Sequence, residues 1–198
     1  MELAVITYPE IFEGEALVLT QLLEQFDIML HIRKPWISDE EYKDLIKQIP
    51  AELLSKVFIH TAYELTEEFE FKGLHFSTEK REQSNQFEDT CKSTSTHSVE
   101  EVELLHEAFD YMFLSPVYPS ISKPGLNNVL NKSDIREQLS REWQGKIIAL
   151  GGVSAENLEE IKQLGFDGAA VLGAIWGEEL ANITNAEQNL KEIYQCLF

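Results

Sequence analysis

Eight short apolar or β-branched runs recur along the chain, each bounded by Gly, Pro or polar residues: Leu3–Thr7, Ile28–Ile32, Lys56–Ile59, Gly73–Phe76, Thr90–Thr94, Tyr111–Ser115, Lys146–Leu150 and Gly168–Leu172. Runs of this length and composition read as strands. Helical patterns lie between several of them: Tyr42, Leu45, Ile46 and Ile49 fall on one helix face before Pro50, and Ala155, Leu158, Ile161 and Leu164 on another before Gly165. Ser38-Asp39-Glu40-Glu41 and Ser98-Val99-Glu100-Glu101 read as capping boxes, and Ser154 as a further N-cap. Strand–helix alternation forces a parallel sheet covered by helices. Eight repeats predict a compact (β/α)8 barrel, one domain over residues 1–198, with an open doubly wound sheet as the rival. At 198 residues such a barrel must economise, and Glu64–Phe71 and Arg81–Glu88 leave room only for short or irregular helices around units three and four.

Composition narrows the function classes. Asp+Glu number 35 against Lys+Arg 16, a formal net charge of -19. Such a chain repels phosphate backbones at long range, which argues against nucleic acid as a partner. An anionic ligand would need a local cluster of positive groups. Cys91 and Cys196 form neither a disulfide framework nor a zinc spacing, and suit a reducing compartment. No apolar stretch reaches the ~20 residues of a membrane span, and the first residues lack a signal-peptide pattern. The expectation is a cytoplasmic protein without a membrane partner. Its outer helices could support a homodimer.

In a parallel barrel the chemistry collects where strands end. Side chains two apart on a strand share a face, so His31 and Arg33 are predicted to enter the barrel mouth while Leu30 and Ile32 pack against helices. His75 with Ser77, and Ser93 with Ser95, form similar pairs, and His60 closes the third strand. The histidines show no His-x-His or His-Glu-x-x-His spacing, so hydrogen-bonding roles are favoured over a transition metal. Gly151-Gly152 before Ser154, and Gly173 after the eighth strand, are turns where backbone amides approach an oxyanion closely. The loop Ser115–Gly125 presents Ser120, Ser122 and Lys123 between prolines. With Arg33 and Lys34, Lys123 makes three cations that could surround a polyanion.

These stretches resemble the thiamine phosphate synthase and thiazole tautomerase (TenI-type) superfamily along nearly the whole chain. Leu30-His31-Ile32-Arg33 resembles its L-Q-x-R-x-K, Gly73-Leu74-His75-Phe76 its G-V-H-L, and Ser93–Ser98 its G-x-S-x-H-S. Asp110–Gly125 is similar to D-Y-x-x-x-G-P-V-F-P-T-x-T-K-P-G. Ala149–Val153 and Gly165–Val171 are similar to A-I-G-G-I and G-A-D-G-V-A-V. The resemblance implies joining of an aminopyrimidine methyl diphosphate to a thiazole phosphate, giving thiamine phosphate and pyrophosphate, with Mg²⁺. It implies that Arg33, Ser95 and Lys123 act on the diphosphate. It places Ser120 and Ser122 at the family's two threonines, and gives Gly151, Gly152 and Gly173 the thiazole phosphate. His31, Lys34, His60 and His75 would line the substrate site. Departures accompany it: His31 replaces the family glutamine, and Thr61 and Lys80 stand where it has its two metal carboxylates. Pro116 occupies the tautomerase histidine position. Two alternatives stay open on this scaffold: a thiazole phosphate isomerase using His60 or His75 as general base, and a non-catalytic protein that binds a phosphorylated small molecule.

Overall fold

The structure, a computed structural model, describes residues 1–119, 129–177 and 185–197. Eight parallel strands close into a barrel in chain order: β1 (Glu2–Ile6), β2 (Met29–Ile32), β3 (Val57–Ile59), β4 (Gly73–Phe76), β5 (Lys92–Thr96), β6 (Tyr111–Leu114), β7 (Lys146–Ala149) and β8 (Gly168–Val171). Pairing of Leu3 with Ala169 and Val5 with Val171 closes the ring. The helices are α1 (Glu15–Gln25), α2 (Asp39–Lys47), α3 (Val99–Leu105), α4 (Lys132–Leu139), α5 (Leu158–Leu164), α6 (Gly173–Trp176) and α7 (Ala186–Leu197). After β3 and β4 the chain makes only 3₁₀ segments, Tyr63–Glu67 and Thr78–Gln86. The economy thus falls in the units where the sequence leaves least room.

Strand alternation builds two cores. Leu3, Val5, Leu30, Ile32, Leu74, Phe76, Met112 and Leu114 face the helices, while Ala4, Ile6, Phe58, Tyr111, Phe113, Ile148 and Ala170 fill the barrel. Gly73 makes room inside, because a Cβ there would lie 2.4 Å from the Phe58 ring.

The fifth strand begins two residues later than the sequence pattern predicts. Cys91 ends the preceding segment, its carbonyl accepting from Leu74 N at 2.9 Å, and the ladder with β6 then runs from Ser93 to Thr96. A shift of two preserves the faces. Ser93 and Ser95 stay inside, and the outward hydroxyls of Thr94 and Thr96 donate to Phe76 O at 2.7 Å and Phe113 O at 3.1 Å. Those bonds let so polar a strand, Lys-Ser-Thr-Ser-Thr, be buried.

Helix entries follow the sequence signals. Ser38 and Glu41 form a reciprocal capping box at α2. Ser98 caps α3 through Glu101 N at 3.2 Å, but the Glu101 carboxylate turns instead to Arg81. Ser154 pairs with Asn157 in the box preceding α5, which ends at Gly165 with φ 98°. Three buried side chains then tie the outer layer to strand ends. Tyr42 donates to Ile32 O at 2.7 Å, Tyr63 to His75 O at 2.8 Å, and Trp176 to Ile6 O at 2.7 Å. These bonds fix the C-terminal rim, where the polar residues gather. Among the described residues, no helix is long and apolar enough to cross a membrane.

Candidate functional site

Three strands bring three histidines into one cluster. His31 on β2 is fully buried, its ring parallel to Phe58 with centroids 4.8 Å apart. Its Nδ1 lies 3.0 Å from His60 Nε2, and its Nε2 meets the Tyr111 hydroxyl. His60, directly after β3, stacks on His75 with centroids 4.1 Å apart. His75 on β4 lies between two serines of β5, with Nδ1 3.0 Å from Ser93 Oγ and Nε2 3.1 Å from Ser95 Oγ. The Ser93 hydroxyl is also 3.4 Å from Leu74 O. A hydroxyl donating to that carbonyl must accept from His75 Nδ1–H, which leaves the Nε2 lone pair facing Ser95.

Burial disfavours charge on all three rings. His31 and His60 are held well below the ordinary histidine value by desolvation and by neighbouring rings. His75 is pushed down to about 3 by desolvation, then by Arg33 and Arg81. Arg33 and Lys80 add to the effect on His60. The cluster is neutral at physiological pH, and the side-chain charges acting on it are positive.

Arg33 follows His31 on the face the alternation predicts. Its backbone is anchored to the end of β1, Arg33 N donating to Thr7 Oγ1 at 3.0 Å, while the side chain is exposed. Lys34 is a correction. It is buried on the opposite face, where Nζ donates to Tyr8 O at 2.7 Å and Glu10 O at 2.8 Å and pairs with the buried Glu15 carboxylate. The face carrying Leu30 and Ile32 simply continues to Lys34, so it packs against α1 and cannot meet a ligand in the mouth.

Sequence reasoning missed Arg81 and underused Lys80. Arg81 lies in the 3₁₀ segment after β4. Its guanidinium bonds Thr94 Oγ1 at 3.1 Å, the Ser95 carbonyl, and Glu101 at 2.9 Å. Lys80 is half-buried, its ammonium 5.3 Å from the Tyr63 ring centroid. The only signal for either was a cationic pair just after a strand, in a unit too short to show helical periodicity.

On the other side of the rim, the glycine turn supports the loop after β6. Val117 N donates to Leu150 O at 3.0 Å and Tyr118 N to Gly151 O at 3.1 Å. Gly151 has φ 92° and Gly152 φ 64°. A Cβ on Gly152 would lie 2.3 Å from Pro119 O, and one on Gly151 2.9 Å from Pro116. The glycines are therefore required by close packing as well as by conformation. Gly173 opens α6 after β8. A cleft of about 550 Å³ runs beside this turn, lined by Tyr118, Gly152, Ser154, Ala174 and two carboxylates, Glu156 and Glu192. It does not lie over the histidines. Ser120, Ser122 and Lys123 lie outside the described residues.

The donor set does not fit Mg²⁺. A hard cation takes oxygen ligands, typically one or two carboxylates. The metal-ligating groups that converge in threes among the described residues are His31, His60 and His75 alone. Lys80 and the neighbouring Thr61 replace the oxygen donors that the resemblance places here.

The chain matches the family described as thiamine monophosphate synthase over residues 3–175. Among curated relatives, the thiamine-phosphate synthase of Methanocella arvoryzae is 35% identical over 88 residues, covering 44% of this chain and 40% of that protein. The Desulfitobacterium hafniense enzyme of the same name is 24% identical over 172 residues, 82% of each. The first of these matches thus spans less than half of the relative's length. Among solved structures, thiamine phosphate pyrophosphorylase from Bacteroides thetaiotaomicron superposes with TM-score 0.84 at 30% identity, over 99% of this chain and 97% of that one. The fold, the C-terminal position of the histidine and glycine motifs, and these matches together place the chain in the thiamine monophosphate synthase family.

Proposed function

We propose that the protein is a thiamine phosphate synthase. It would join an aminopyrimidine methyl diphosphate to a thiazole phosphate and release pyrophosphate. In that reaction the bond between the methylene carbon and the diphosphate oxygen breaks, its electron pair leaving with pyrophosphate. The thiazole nitrogen lone pair then forms the new C–N bond. No proton needs to be removed from carbon. Catalysis rests on stabilising the leaving group and orienting the acceptor.

The observation that carries this reading is the placement of Arg33, Ser95 and the glycine turn around one barrel mouth. Arg33 supplies a cation whose charge acts on His60 and His75, and the half-buried Ser95 supplies a hydroxyl 3.1 Å from His75 Nε2. Lys123 is assigned to the diphosphate by resemblance, and Ser120 and Ser122 stand at the family's two threonines. Gly151, Gly152 and Gly173 are assigned to the thiazole phosphate through their amides. His31, His60 and His75 form the uncharged floor. Mg²⁺, which the resemblance implies, finds no fitting ligand set among the described residues. The partners of this site are small phosphorylated molecules.

The isomerase reading is weakened by the same geometry, because burial makes His60 and His75 poor proton acceptors. Incubation of the two substrates, with and without Mg²⁺, should release pyrophosphate and form thiamine phosphate. Failure in both conditions would remove the synthase reading. A melting temperature still raised by thiazole phosphate would then support the binding protein.

A further inference from the structure

We infer that His31, His60 and His75 form a binding site for a borderline divalent transition ion, of the class of Zn²⁺ or Co²⁺, at the barrel mouth. One ring nitrogen from each histidine lies within 4.8 Å of the others. One pair, His31 Nδ1 and His60 Nε2, is 3.0 Å apart and shares a hydrogen bond in the metal-free protein. Two ligands on a tetrahedral ion with Zn–N bonds of about 2.0 Å stand about 3.3 Å apart, so this pair is already at ligand spacing. The three donors come from consecutive strand ends, β2, β3 and β4, whose backbones are fixed by the barrel ladder.

The outer partners suit ligation as well. A ligating imidazole needs its other nitrogen protonated and held. Ser93 holds His75 Nδ1–H and leaves Nε2 unprotonated, where an ion would take the place of the Ser95 hydroxyl 3.1 Å away, and the Tyr111 oxygen can accept from His31 Nε2–H, leaving Nδ1 to exchange its hydrogen bond with His60 for the ion. Neutral imidazole is the ligating form, and the rings pack among aromatic side chains, His31 against Phe58 and His75 against Phe113. Imidazole donors suit Zn²⁺, Co²⁺ and Ni²⁺ rather than Mg²⁺. Arg33, Lys80 and Arg81 work against a bare dication. An anion in the fourth position offsets them.

The test is independent of whether pyrophosphate is released. Chelator-treated full-length protein is titrated with Co²⁺ and read by visible absorption, since four-coordinate Co²⁺ absorbs far more strongly than the aqueous ion. The expected result is saturation at one ion per chain, displacement of the spectrum by Zn²⁺, and a higher melting temperature with either ion. His60→Asn should weaken binding by more than the ~10–100-fold that loss of an outer partner costs, and Ser93→Ala by about that amount. Far-UV circular dichroism checks that each variant folds, and Ser93→Ala carries the test if His60→Asn does not. A spectrum that stays that of aqueous Co²⁺, or unchanged affinity in a folded variant, overturns the site.

Discussion

Replacing Lys34 by Met tests whether this cation belongs to the ligand site or to the scaffold. Its side chain and that of Glu15 are 0% and 1% exposed, and they pair with each other. Removing the ammonium strands a buried carboxylate whose second oxygen, Oε2, already has no partner. It also deprives the Tyr8 and Glu10 carbonyls of their donor. Breaking a buried pair in this way costs about 3–5 kcal/mol. With a urea slope of about 2 kcal/mol/M, the unfolding midpoint should fall by about 1.5–2.5 M. The pH dependence has a definite sign. Burial already raises the Glu15 pKa, and Lys34 partly restores it. Without Lys34 the folded chain holds the Glu15 proton more tightly still, while the unfolded chain releases it near its usual value. The stability deficit of Lys34→Met is therefore smallest near pH 4.5, about where a free carboxyl titrates, and grows toward pH 7. The double variant Glu15→Gln/Lys34→Met should recover most of the loss. A Lys34→Met protein with wild-type stability but no pyrophosphate binding would refute the assignment.

Other consequences follow from the same geometry. The three neutral histidines have folded pKa values below their unfolded ones, so their contribution is present above about pH 6.5 and is lost as pH falls. Between pH 7 and 5 the metal-free protein should lose stability, about 2 kcal/mol of it through His75, read from urea midpoints, and His60→Asn should lessen the loss. Gly152→Ala should destabilise by well over the ~1–2 kcal/mol of its left-handed backbone, because Pro119 O is 2.3 Å from the new Cβ. Gly165→Ala, also at positive φ but 3.3 Å from Leu139 Cβ, should cost less, the backbone term plus a small shift of Leu139. Arg33→Ala should lower kcat/KM for the diphosphate substrate by about 10–150-fold, matching a charge-assisted hydrogen bond of about 1.5–3 kcal/mol, with the melting temperature unchanged.

The barrel was legible because its signals are local. Each strand run is a few residues long, each cap a four-residue pattern, and their order alone implies closure. The shortened third and fourth units were legible by arithmetic. Strand boundaries were less so, since the start of β5 depends on where β6 offers a partner, and Thr90-Cys91 is as β-prone as the residues that follow. For the site, alternation correctly sent His31 inward, stacked on Phe58, and the Arg33 charge reaches His60 and His75. The same rule would have sent Lys34 outward with Leu30 and Ile32, had it been applied to a charged residue as strictly as to apolar ones. The gathering of His31, His60 and His75 at successive strand ends was legible once the barrel was, but their mutual contacts were not. The three are 29 and 15 residues apart in sequence, and only the barrel's strand order makes them neighbours.

Net charge was the least informative guide to the site, and the structure gives the reason. A sum of -19 describes a surface whose carboxylates sit largely on helices, screened by water. The one buried carboxylate among the described residues, Glu15, is matched by Lys34 and so adds no field to the mouth. The Arg81 guanidinium is shared with Glu101, yet it still acts on His75, as Arg33 does, while Arg33 and Lys80 act on His60. Inside a low-dielectric barrel end, those few nearby cations outweigh many distant, solvated anions. An anionic substrate therefore meets a repulsive exterior and an attractive mouth. Raising ionic strength should weaken the exterior repulsion more than the partly buried attraction, so substrate association should tolerate added salt instead of collapsing with it.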